Sequence, residues 1–471
     1  MNTFRECVNL LAPKEKDIRF GSKDCVFDNL EILSKITSIM FQKLNKDGLW
    51  DLFYRLEMKL LPLLALMQKR GVSVNLDEFH RLQESFQNEL KRLENSAQKC
   101  IQKEFNLSSS LQLRTILYDE LKLDVKAGIS ADRTPSGAKS TCETMLQKLV
   151  ACHPLPNIVL THRHIAKCNT TYVKGILQFC EGGKVETIWD QIAAVTGRLT
   201  SAEPNLQAVP KTDILISGEA INLRSPYLAT NGFIFLAADF EQIEFRIYGH
   251  LSGDPTLLSV VKEENDIFAK LSSVWQDKEI TQVTTDEREK TKRMVYAIMY
   301  GAGKNRMADI LGISVDQAAN IMDLFYQRFS LLKSFYRNVI SEAKKLGYLT
   351  TMFGRRRYFP QINSGNVAIR SQTERQAFNF LIQGSAADIA KTAMIQAEAQ
   401  LATENIESHL VLMIHDEIVW EVKEEDFLSA SAIVRTTLQD GQSLAAGRFK
   451  FNVPLPVKLK SGKRWDSLKI F

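Results

Sequence analysis

The first half of the chain shows a mostly helical pattern of apolar and polar positions. Asn75, followed three residues later by Glu78, is typical of a helix N-cap with its capping glutamate. The apolar residues that follow are spaced by three or four, so they form one stripe on a helix: Phe79, Leu82, Phe86, Leu90, Leu93, Ala97, Ile101 and Phe105. This pattern predicts a long amphipathic helix from residue 75 to about 105, with shorter helices continuing to about residue 177.

The second half of the chain mixes strands with helices. Apolar runs bounded by turn residues predict strands at 184–194, 233–239, 410–414 and 417–422. The second of these runs is almost continuously apolar, as in a strand buried on both faces. Only His415 and Asp416 separate the last two runs, which indicates a tight hairpin.

Composition and charge limit the class of protein but do not identify a binding partner. The 471 residues are 45% hydrophobic and 24% charged, which is ordinary for a globular protein of about three domains. The seven cysteines lie within the first 180 residues and are never spaced C-x-x-C, which argues against a disulfide framework or a zinc site. No apolar run approaches the ~18 residues of a membrane span. We expect a soluble protein without a membrane role, in the nucleus of a eukaryote or otherwise in the cytoplasm.

Two carboxylates occupy positions that suggest chemistry. Asp239 ends the predicted buried strand, where an unpaired charge is unfavourable, and Asp416 precedes Glu417 at the hairpin tip. The structural alternatives are a helix-capping role for Asp239 and an ordinary aspartate turn for Asp416. Together they offer an acidic pair on adjacent strands, which suits two hard divalent cations. The pair predicts a two-metal site.

A basic and aromatic stripe lies on a helix that Thr284 and Glu287 open with a capping box and that is expected to reach Gly301. Its members recur every four residues: Arg288, Lys292, Tyr296 and Tyr300. Two cations followed by two aromatic rings on one helix face suit a polyphosphate and a base. The alternative is a solvated basic face above a tyrosine-lined core.

Polar residues also recur on a later helix, predicted at about 369–404. Arg375, Asn379 and Gln383 are again four residues apart and are of the types that bind base edges and phosphates, although a polar stripe is often only the wet side of a helix. The three arginines at 355–357 indicate a solvated face or a phosphate site.

Five segments resemble, in order and spacing, the motifs of family A DNA polymerases, the group related to bacterial polymerase I. They are T-G-R-L-T-S-A-E-P-N-L-Q at 196–207, D-F-E-Q-I-E-F-R at 239–246, residues 288–301, Q-G-S-A-A-D at 383–388 and H-D-E at 415–417. The likeness runs from about residue 56 to the C-terminus. Y-G-A-G-K at 300–304 and G-R-R-R at 354–357 look most like the animal repair polymerases nu and theta.

The resemblance implies an α+β, right-hand polymerase fold with an antiparallel-sheet palm, helical fingers and a helical thumb. The implied parts are an N-terminal helical lead-in at 1–70, a thumb at 71–165, a palm at 166–254 and 366–471, and fingers at 255–365. A 3′–5′ exonuclease would need its own acidic metal cluster, and the first 50 residues contain no Asp-x-Glu. We therefore expect no proofreading.

The resemblance also assigns the metal and nucleotide positions. It implies that Asp239, Asp416 and the carbonyl of Phe240 hold two Mg²⁺ ions, for which Mn²⁺ could substitute, with Glu417 beside them as a further catalytic residue. The implied nucleotide-binding residues are Arg288 and Lys292 on the triphosphate, Tyr296 and Tyr300 in nucleotide stacking, Gln242, and Glu244 as a steric gate against a ribose 2′-hydroxyl. Lys292 counts among the catalytic residues as well.

The implied DNA-contacting residues are Arg198, Arg375, Asn379, Gln383 and His415. Three residues depart from the family pattern, and one of them is Phe240 in place of the usual tyrosine. Glu241 replaces the usual serine two residues after the metal-binding aspartate, and Arg293 stands where high-fidelity members carry a small or neutral residue.

We therefore expect a template-directed, Mg²⁺-dependent DNA polymerase that acts without proofreading in DNA repair or translesion synthesis. Its partners would be primer–template DNA and deoxynucleoside triphosphates. One rival is a catalytically silent DNA-binding or scaffold subunit, against which the intact acidic and phosphate-binding positions argue. Another is a metal nuclease built on Asp239 and Asp416, which would have no need of the basic and aromatic helix.

Overall fold

The structure is a computed structural model, and it describes residues 26–263 and 266–471. Side chains of the first helix are described from residue 33. The first 25 residues of the predicted lead-in lie outside the described residues. Within these ranges, no helix combines the length and the apolar character needed to cross a membrane.

Helices make up most of the described chain. The longer ones are α1 (Val26–Lys46), α2 (Met58–Arg70), α3 (Leu76–Ile101), α4 (Pro154–Cys168), α5 (Ile243–Ser252), α6 (Pro255–Lys262), α7 (Ile267–Gln276), α8 (Thr285–Met299), α9 (Lys304–Leu311), α10 (Val315–Arg328), α11 (Ser330–Leu346), α12 (Val367–Thr403) and α13 (Phe427–Gln439). Short helical segments lie at Trp50–Leu52, Phe53–Glu57, Ser110–Arg114, Thr115–Glu120, Leu123–Lys126, Glu143–Leu149, Asn169–Lys174, Gly175–Leu177, Leu206–Ala208, Ile280–Gln282, Glu424–Asp426, Gly441–Ala445 and Trp465–Ser467.

The predicted long helix is confirmed as α3, but it is shorter than expected. The Asn75 side chain accepts a hydrogen bond from the Glu78 backbone nitrogen at 3.0 Å, which caps the first turn. Phe79 and Phe86 on the apolar stripe are completely buried. The helix ends at Ile101 rather than at about 105, because Gln102 adopts a left-handed conformation (φ 56°) that terminates it.

The strands form antiparallel sheets, as an α+β fold requires. They are β1 (Val72–Val74), β2 (Cys180–Glu181), β3 (Lys184–Val185), β4 (Ile188–Asp190), β5 (Thr200–Ala202), β6 (Ile214–Ile216), β7 (Glu219–Ile221), β8 (Tyr227–Leu228), β9 (Phe233–Phe240), β10 (Tyr348–Thr350), β11 (Arg356–Tyr358), β12 (Ser408–Ile414), β13 (Glu417–Lys423), β14 (Val457–Gly462) and β15 (Lys469–Ile470). The largest sheet has the order β12-β13-β9-β14-β15, and a second has the order β2-β3-β1-β8. The remaining pairs are β4-β5, β6-β7 and β10-β11.

The prediction of a single strand at 184–194 is wrong. The segment forms β3 and β4, which belong to different sheets, because β3 pairs with β1 and β2 whereas β4 pairs with β5. Between them, the buried Thr187 hydroxyl donates to the carbonyl oxygen of Pro204 at 2.7 Å. This contact interrupts the ladder at the point where the chain changes sheets.

The predicted hairpin and buried strand are confirmed in the largest sheet. β12 and β13 pair across His415 and Asp416, and His415 has the left-handed φ of 55° that a tight turn favours. β9 lies between β13 and β14, and its residues from Phe235 to Ala238 are completely buried. Helix α13 packs on β9, β13 and β14.

Two further predicted helices are confirmed with small changes at their ends. α8 begins with the expected reciprocal capping box of Thr284 and Glu287, and it ends at Met299 instead of Gly301. α12 spans Val367–Thr403, against a prediction of 369–404. Every residue of α12 from 384 to 394 is buried, so this helix passes through the interior of the molecule.

A buried cluster of four charged side chains lies across α12. It includes Arg355, the first of the three consecutive arginines. Lys391 and Asp388 are completely buried. Lys391 Nζ donates to Glu57 Oε1 at 2.9 Å, and Arg355 Nη2 lies 2.7 Å from Asp388 Oδ1 while also pairing with Glu57. The expectation that Arg355 belongs to a solvated face or a phosphate site is therefore wrong, because buried carboxylates occupy its guanidinium.

Candidate active site

Three carboxylates meet at one end of the largest sheet. The register of β9 and β13 pairs Asp239 directly with Glu417, and Asp416 occupies the turn before Glu417. The backbone nitrogen of Phe240 donates to the carbonyl oxygen of Asp416 at 3.3 Å, which joins the two segments. The structure thus places the predicted acidic pair side by side, as expected of two adjacent strands.

Lys460 on β14 lies across this acidic group. Its Nζ donates to Asp239 Oδ2 at 2.9 Å and to Glu417 Oε2 at 2.6 Å. The sequence analysis did not identify this residue. The only signal was the alternation of Lys458 and Lys460 along a short C-terminal strand, and nothing in that pattern shows which strand it joins.

The environment of Asp416 disfavours its charged form. Burial, together with the neighbouring carboxylates of Glu244 and Asp239, raises the pKa of Asp416 to about 6, although Arg198 opposes the shift. A carboxylate in such surroundings gains from a cation, because a positive charge offsets both burial and repulsion.

The available oxygen donors suit a metal site whose coordination is completed by the substrate. Among the described residues, no three His, Cys, Asp or Glu side chains form a group that could enclose a metal. Mg²⁺ is commonly bound through one or two carboxylates together with waters and substrate phosphates. Two aspartates and a backbone carbonyl fit that mode of binding.

An open cleft of about 640 Å³ borders the carboxylates. Its lining includes Asp239, Asp416, Glu417, His415, Arg224 and Lys211. Gln207, also in this cleft, donates from Nε2 to the carbonyl oxygen of Met413 at 2.9 Å, which fixes the 205–211 segment against β12. The cleft gives the acidic group access to a large, charged ligand.

Glu244 is buried in the first turn of α5 and is held by two donors. Tyr300 Oη donates to its Oε2 at 2.7 Å, and Arg198 forms an ion pair with its Oε1. Gln383 acts on the same Tyr300 hydroxyl and lowers its pKa, against the larger effect of burial. Gln242 precedes α5 in a left-handed conformation (φ 48°). Glu244, the predicted gate, therefore belongs to one network with Tyr300, which is predicted to stack on the nucleotide. The network also includes two predicted DNA-contacting residues, Arg198 and Gln383.

The aromatic half of the α8 stripe faces this network. The rings of Tyr296 and Tyr300 lie 6.1 Å apart at an interplanar angle of 24°. Burial, with the Glu244 and Asp416 carboxylates, raises the pKa of Tyr296 to about 12. The same causes of burial and a neighbouring Glu244 raise the pKa of Tyr300. Both hydroxyls stay protonated at neutral pH and can donate hydrogen bonds.

The basic half of the stripe lies nearer the N-terminal end of α8. Arg288 Nε lies 2.6 Å from Asp266 Oδ2, and its guanidinium also pairs with Glu289. Lys292 Nζ is 5.9 Å from the centroid of the Phe268 ring and has no ion pair with any described residue. Hydrogen bonds and ion pairs within the described ranges link neither cation to the acidic group on the sheet.

The remaining predicted DNA-contacting residues lie at exposed or half-buried positions. Arg375 is exposed, and its side-chain carbons lie so near Gly301 that a Cβ there would be 3.0 Å from Cγ. Asn379 is half-buried, and its Oδ1 has no hydrogen-bond partner in the described part of the chain. His415 is exposed at the hairpin turn. The exposed Arg375 and His415 side chains are available to a ligand, whereas Oδ1 of Asn379 is buried.

Two of the three departures from the family pattern, Glu241 and Arg293, have different surroundings. Glu241 Oε1 lies 3.1 Å from Lys458 Nζ, so its extra negative charge is paired on β14. Arg293 is exposed and donates from Nη1 to the carbonyl oxygen of Ile310 at 3.4 Å.

Comparison with known proteins assigns this arrangement to a family. The profile of DNA polymerase family A matches residues 76–467. The chain belongs to this family. It is 33% identical over 433 residues to the thermostable DNA polymerase I of Thermus filiformis, covering 91% of this chain and 50% of that protein. It is 34% identical over 417 residues to DNA polymerase I of Mycobacterium tuberculosis, covering 88% and 44%. The chain thus spans about half the length of these curated relatives.

A solved structure confirms the fold within family A. The POL domain of Pol1 from M. smegmatis, in complex with DNA primer-template and dNTP, superposes with a TM-score of 0.87 at 30% identity, covering 99% of this chain and 79% of that one. The predicted right-hand polymerase fold with antiparallel sheets is therefore confirmed. These relatives are bacterial enzymes, so the likeness to the animal polymerases nu and theta stays a prediction, as do the boundaries between thumb, palm and fingers.

Proposed function

We propose that this chain is a DNA-dependent DNA polymerase that adds template-selected deoxynucleotides to the 3′ end of a primer. One observation carries the proposal: in a member of DNA polymerase family A, Asp239 pairs in register with Glu417 and Asp416 occupies the adjoining turn. The complex of the M. smegmatis relative with DNA primer-template and dNTP supports the same substrates here.

The proposed metal ligands are Asp239, Asp416 and the carbonyl oxygen of Phe240. They would hold two Mg²⁺ ions, with Mn²⁺ as a substitute, and triphosphate and water oxygens would complete the coordination. Bound Mg²⁺ supplies a lowered pKa for the primer 3′-hydroxyl and neutralises charge on the triphosphate. Glu417 sits beside these ligands, where Lys460 keeps its carboxylate paired.

The chain's own residues would bind and orient the nucleotide. Arg288 and Lys292 would neutralise the triphosphate, for which Arg288 would first exchange its contacts with Asp266 and Glu289. Glu244, fixed by its two donors, would exclude a ribose 2′-hydroxyl. Tyr296 would stack near the base. The remaining proposed assignments are Tyr300 and Gln242 for the nucleotide and Arg198, Arg375, Asn379, Gln383 and His415 for DNA.

We further propose that residues 71–165 form the thumb, 255–365 the fingers, and 166–254 with 366–471 the palm, after a lead-in at 1–70. The absence of an Asp-x-Glu pair from the first 50 residues supports synthesis by these 471 residues without proofreading. The likeness of two motifs to polymerases nu and theta supports a role in DNA repair or translesion synthesis, in a nucleus.

The test is extension of a primed template by the purified protein, with each nucleotide supplied alone. We expect Mg²⁺-dependent addition of the template-matched nucleotide, which Asp416→Asn lowers below ~1% of the parent rate, or roughly 2.7 kcal/mol of barrier. Asp277→Asn, which alters a 93% exposed carboxylate, is the matched control and should extend normally. Binding without extension would favour a scaffold, and primer degradation without extension would favour a nuclease.

A further inference from the structure

Lys460 is the one cation that contacts the acidic group of the sheet in the described part of the chain. The register of β14 with β9 places Lys460 opposite Ala237, two residues before Asp239 on the same face of the strand. Because Ala237 is small, the lysine side chain can cross β9 to reach both Asp239 and Glu417. Lys460 is 12% exposed and Glu417 is 13% exposed, so their ion pair is shielded from solvent, whereas the Asp239 carboxylate is 38% exposed and stays accessible to a ligand.

The neighbouring lysine of the same strand behaves differently. Lys458 is 50% exposed, and its Nζ lies 3.1 Å from Glu241 Oε1. The two lysines of β14 therefore have different partners. Lys458 neutralises Glu241, which departs from the family pattern, and Lys460 neutralises the acidic group itself. Lys460 occupies one oxygen of Asp239 and repels any other cation that approaches the same carboxylate.

We propose that Lys460 is a positioning residue that holds Asp239 and Glu417 in place before a divalent cation binds, and that it weakens cation binding by competing for Asp239. This inference rests on the proposed function, which makes Asp239 a metal ligand. The protein consequently needs a higher concentration of divalent cation than the same site would need without the lysine.

The size of the effect follows from Coulomb's law. A unit charge ~6 Å from a divalent ion, at an effective dielectric between ~40 and 80, changes the ion's affinity by roughly tenfold to a hundredfold. We therefore expect removal of the Lys460 charge to tighten binding by at least about tenfold.

The experiment titrates the full 471-residue protein with Mn²⁺, without DNA or nucleotide, and counts free Mn²⁺ by electron paramagnetic resonance. Lys460→Met should lower the Kd about tenfold or more, whereas Lys460→Arg, which keeps the charge, should stay within about twofold of the parent. Lys463→Met is the matched control, because Lys463 donates to the carbonyl oxygen of Phe233 at the opposite end of β9. It removes the same charge and should leave the Kd unchanged.

Two outcomes overturn the inference. An unchanged or weaker affinity in Lys460→Met would show that the lysine does not compete with the cation. A parent protein that binds Mn²⁺ no better than Asp239→Asn would show that Asp239 does not hold the cation in the free protein, which leaves Lys460 nothing to compete for. Failure of the proposed function is seen separately, in primer extension, so the two failures are distinguishable. If Lys460→Met does not fold, as judged by thermal unfolding, Lys460→Gln replaces it, since the amide keeps a hydrogen-bond donor but not the charge.

Discussion

Replacing Tyr296 by phenylalanine removes a hydroxyl that makes no hydrogen bond within the described part of the chain. The ring is half-buried and stacks near Tyr300, while burial and the carboxylates of Glu244 and Asp416 raise the pKa of Tyr296 to about 12. The hydroxyl is therefore a protonated, unused donor on the helix proposed to face the triphosphate. Because no contact is lost, Tyr296→Phe should leave folding and ordinary synthesis nearly unchanged.

The effect should instead appear with 2′,3′-dideoxynucleotides. Such a nucleotide lacks the 3′-hydroxyl that otherwise bonds to its own triphosphate, so one charged phosphate oxygen needs another donor. A hydrogen bond to a charged acceptor contributes about 1.5–3 kcal/mol. This corresponds to ~10- to 100-fold in relative incorporation. The parent should thus accept dideoxynucleotides readily, and Tyr296→Phe should discriminate against them by that factor.

The assay is primer extension with a deoxynucleotide and its dideoxy analogue in competition, which measures termination at each template position. Tyr300→Phe is the matched control, because it removes a hydroxyl from the adjacent ring, where that hydroxyl is already bonded to Glu244. It should leave the dideoxy ratio within about twofold. Equal ratios in the parent and in Tyr296→Phe would refute the placement of this hydroxyl against the triphosphate.

Three other expectations concern different parts of the molecule. Glu244→Ala should raise ribonucleotide incorporation relative to deoxynucleotides at least about tenfold, ~1.4 kcal/mol, and an unchanged ratio in primer extension would reject the gate. Neighbouring serine and threonine hydroxyls lower the pKa of exposed Cys142 to about 7, so iodoacetamide should alkylate it well before Cys180, whose pKa burial raises to about 11; equal rates by mass spectrometry at pH 7 would contradict this. Glu57→Ala removes the carboxylate that contacts buried Lys391, and chemical denaturation should show a loss of about 3–5 kcal/mol, whereas a loss below ~1 kcal/mol would count against the cluster.

Local signals allowed several elements to be predicted from the sequence. The N-cap of α3, the capping box of α8 and the two-residue turn before β13 each depend on residues within four positions of one another. The end of α3 and the division of 184–194 into two strands could not be predicted in this way. The end of α3 depends on where the chain must turn next. The division of 184–194 depends on which strands its two parts pair with.

The amino-acid sequence by itself determined the chemical components of the candidate site. The buried apolar run of β9 ends in Asp239, the hairpin turn contains Asp416, and the period of α8 places cations and tyrosines on one face. These features follow from backbone periodicity, which acts over a few residues and is visible in the order of the side chains.

Only the tertiary structure decided which charges are partners. Lys460 reaches Asp239 across 221 positions of sequence, and Arg198 reaches Glu244 across 46. Such pairings depend on strand register and helix packing, and a shift of one residue along β14 would turn Lys460 to the other face of the sheet. The sequence therefore specifies that acids and bases are present, while the fold specifies which of them neutralise one another and which remain available to a ligand.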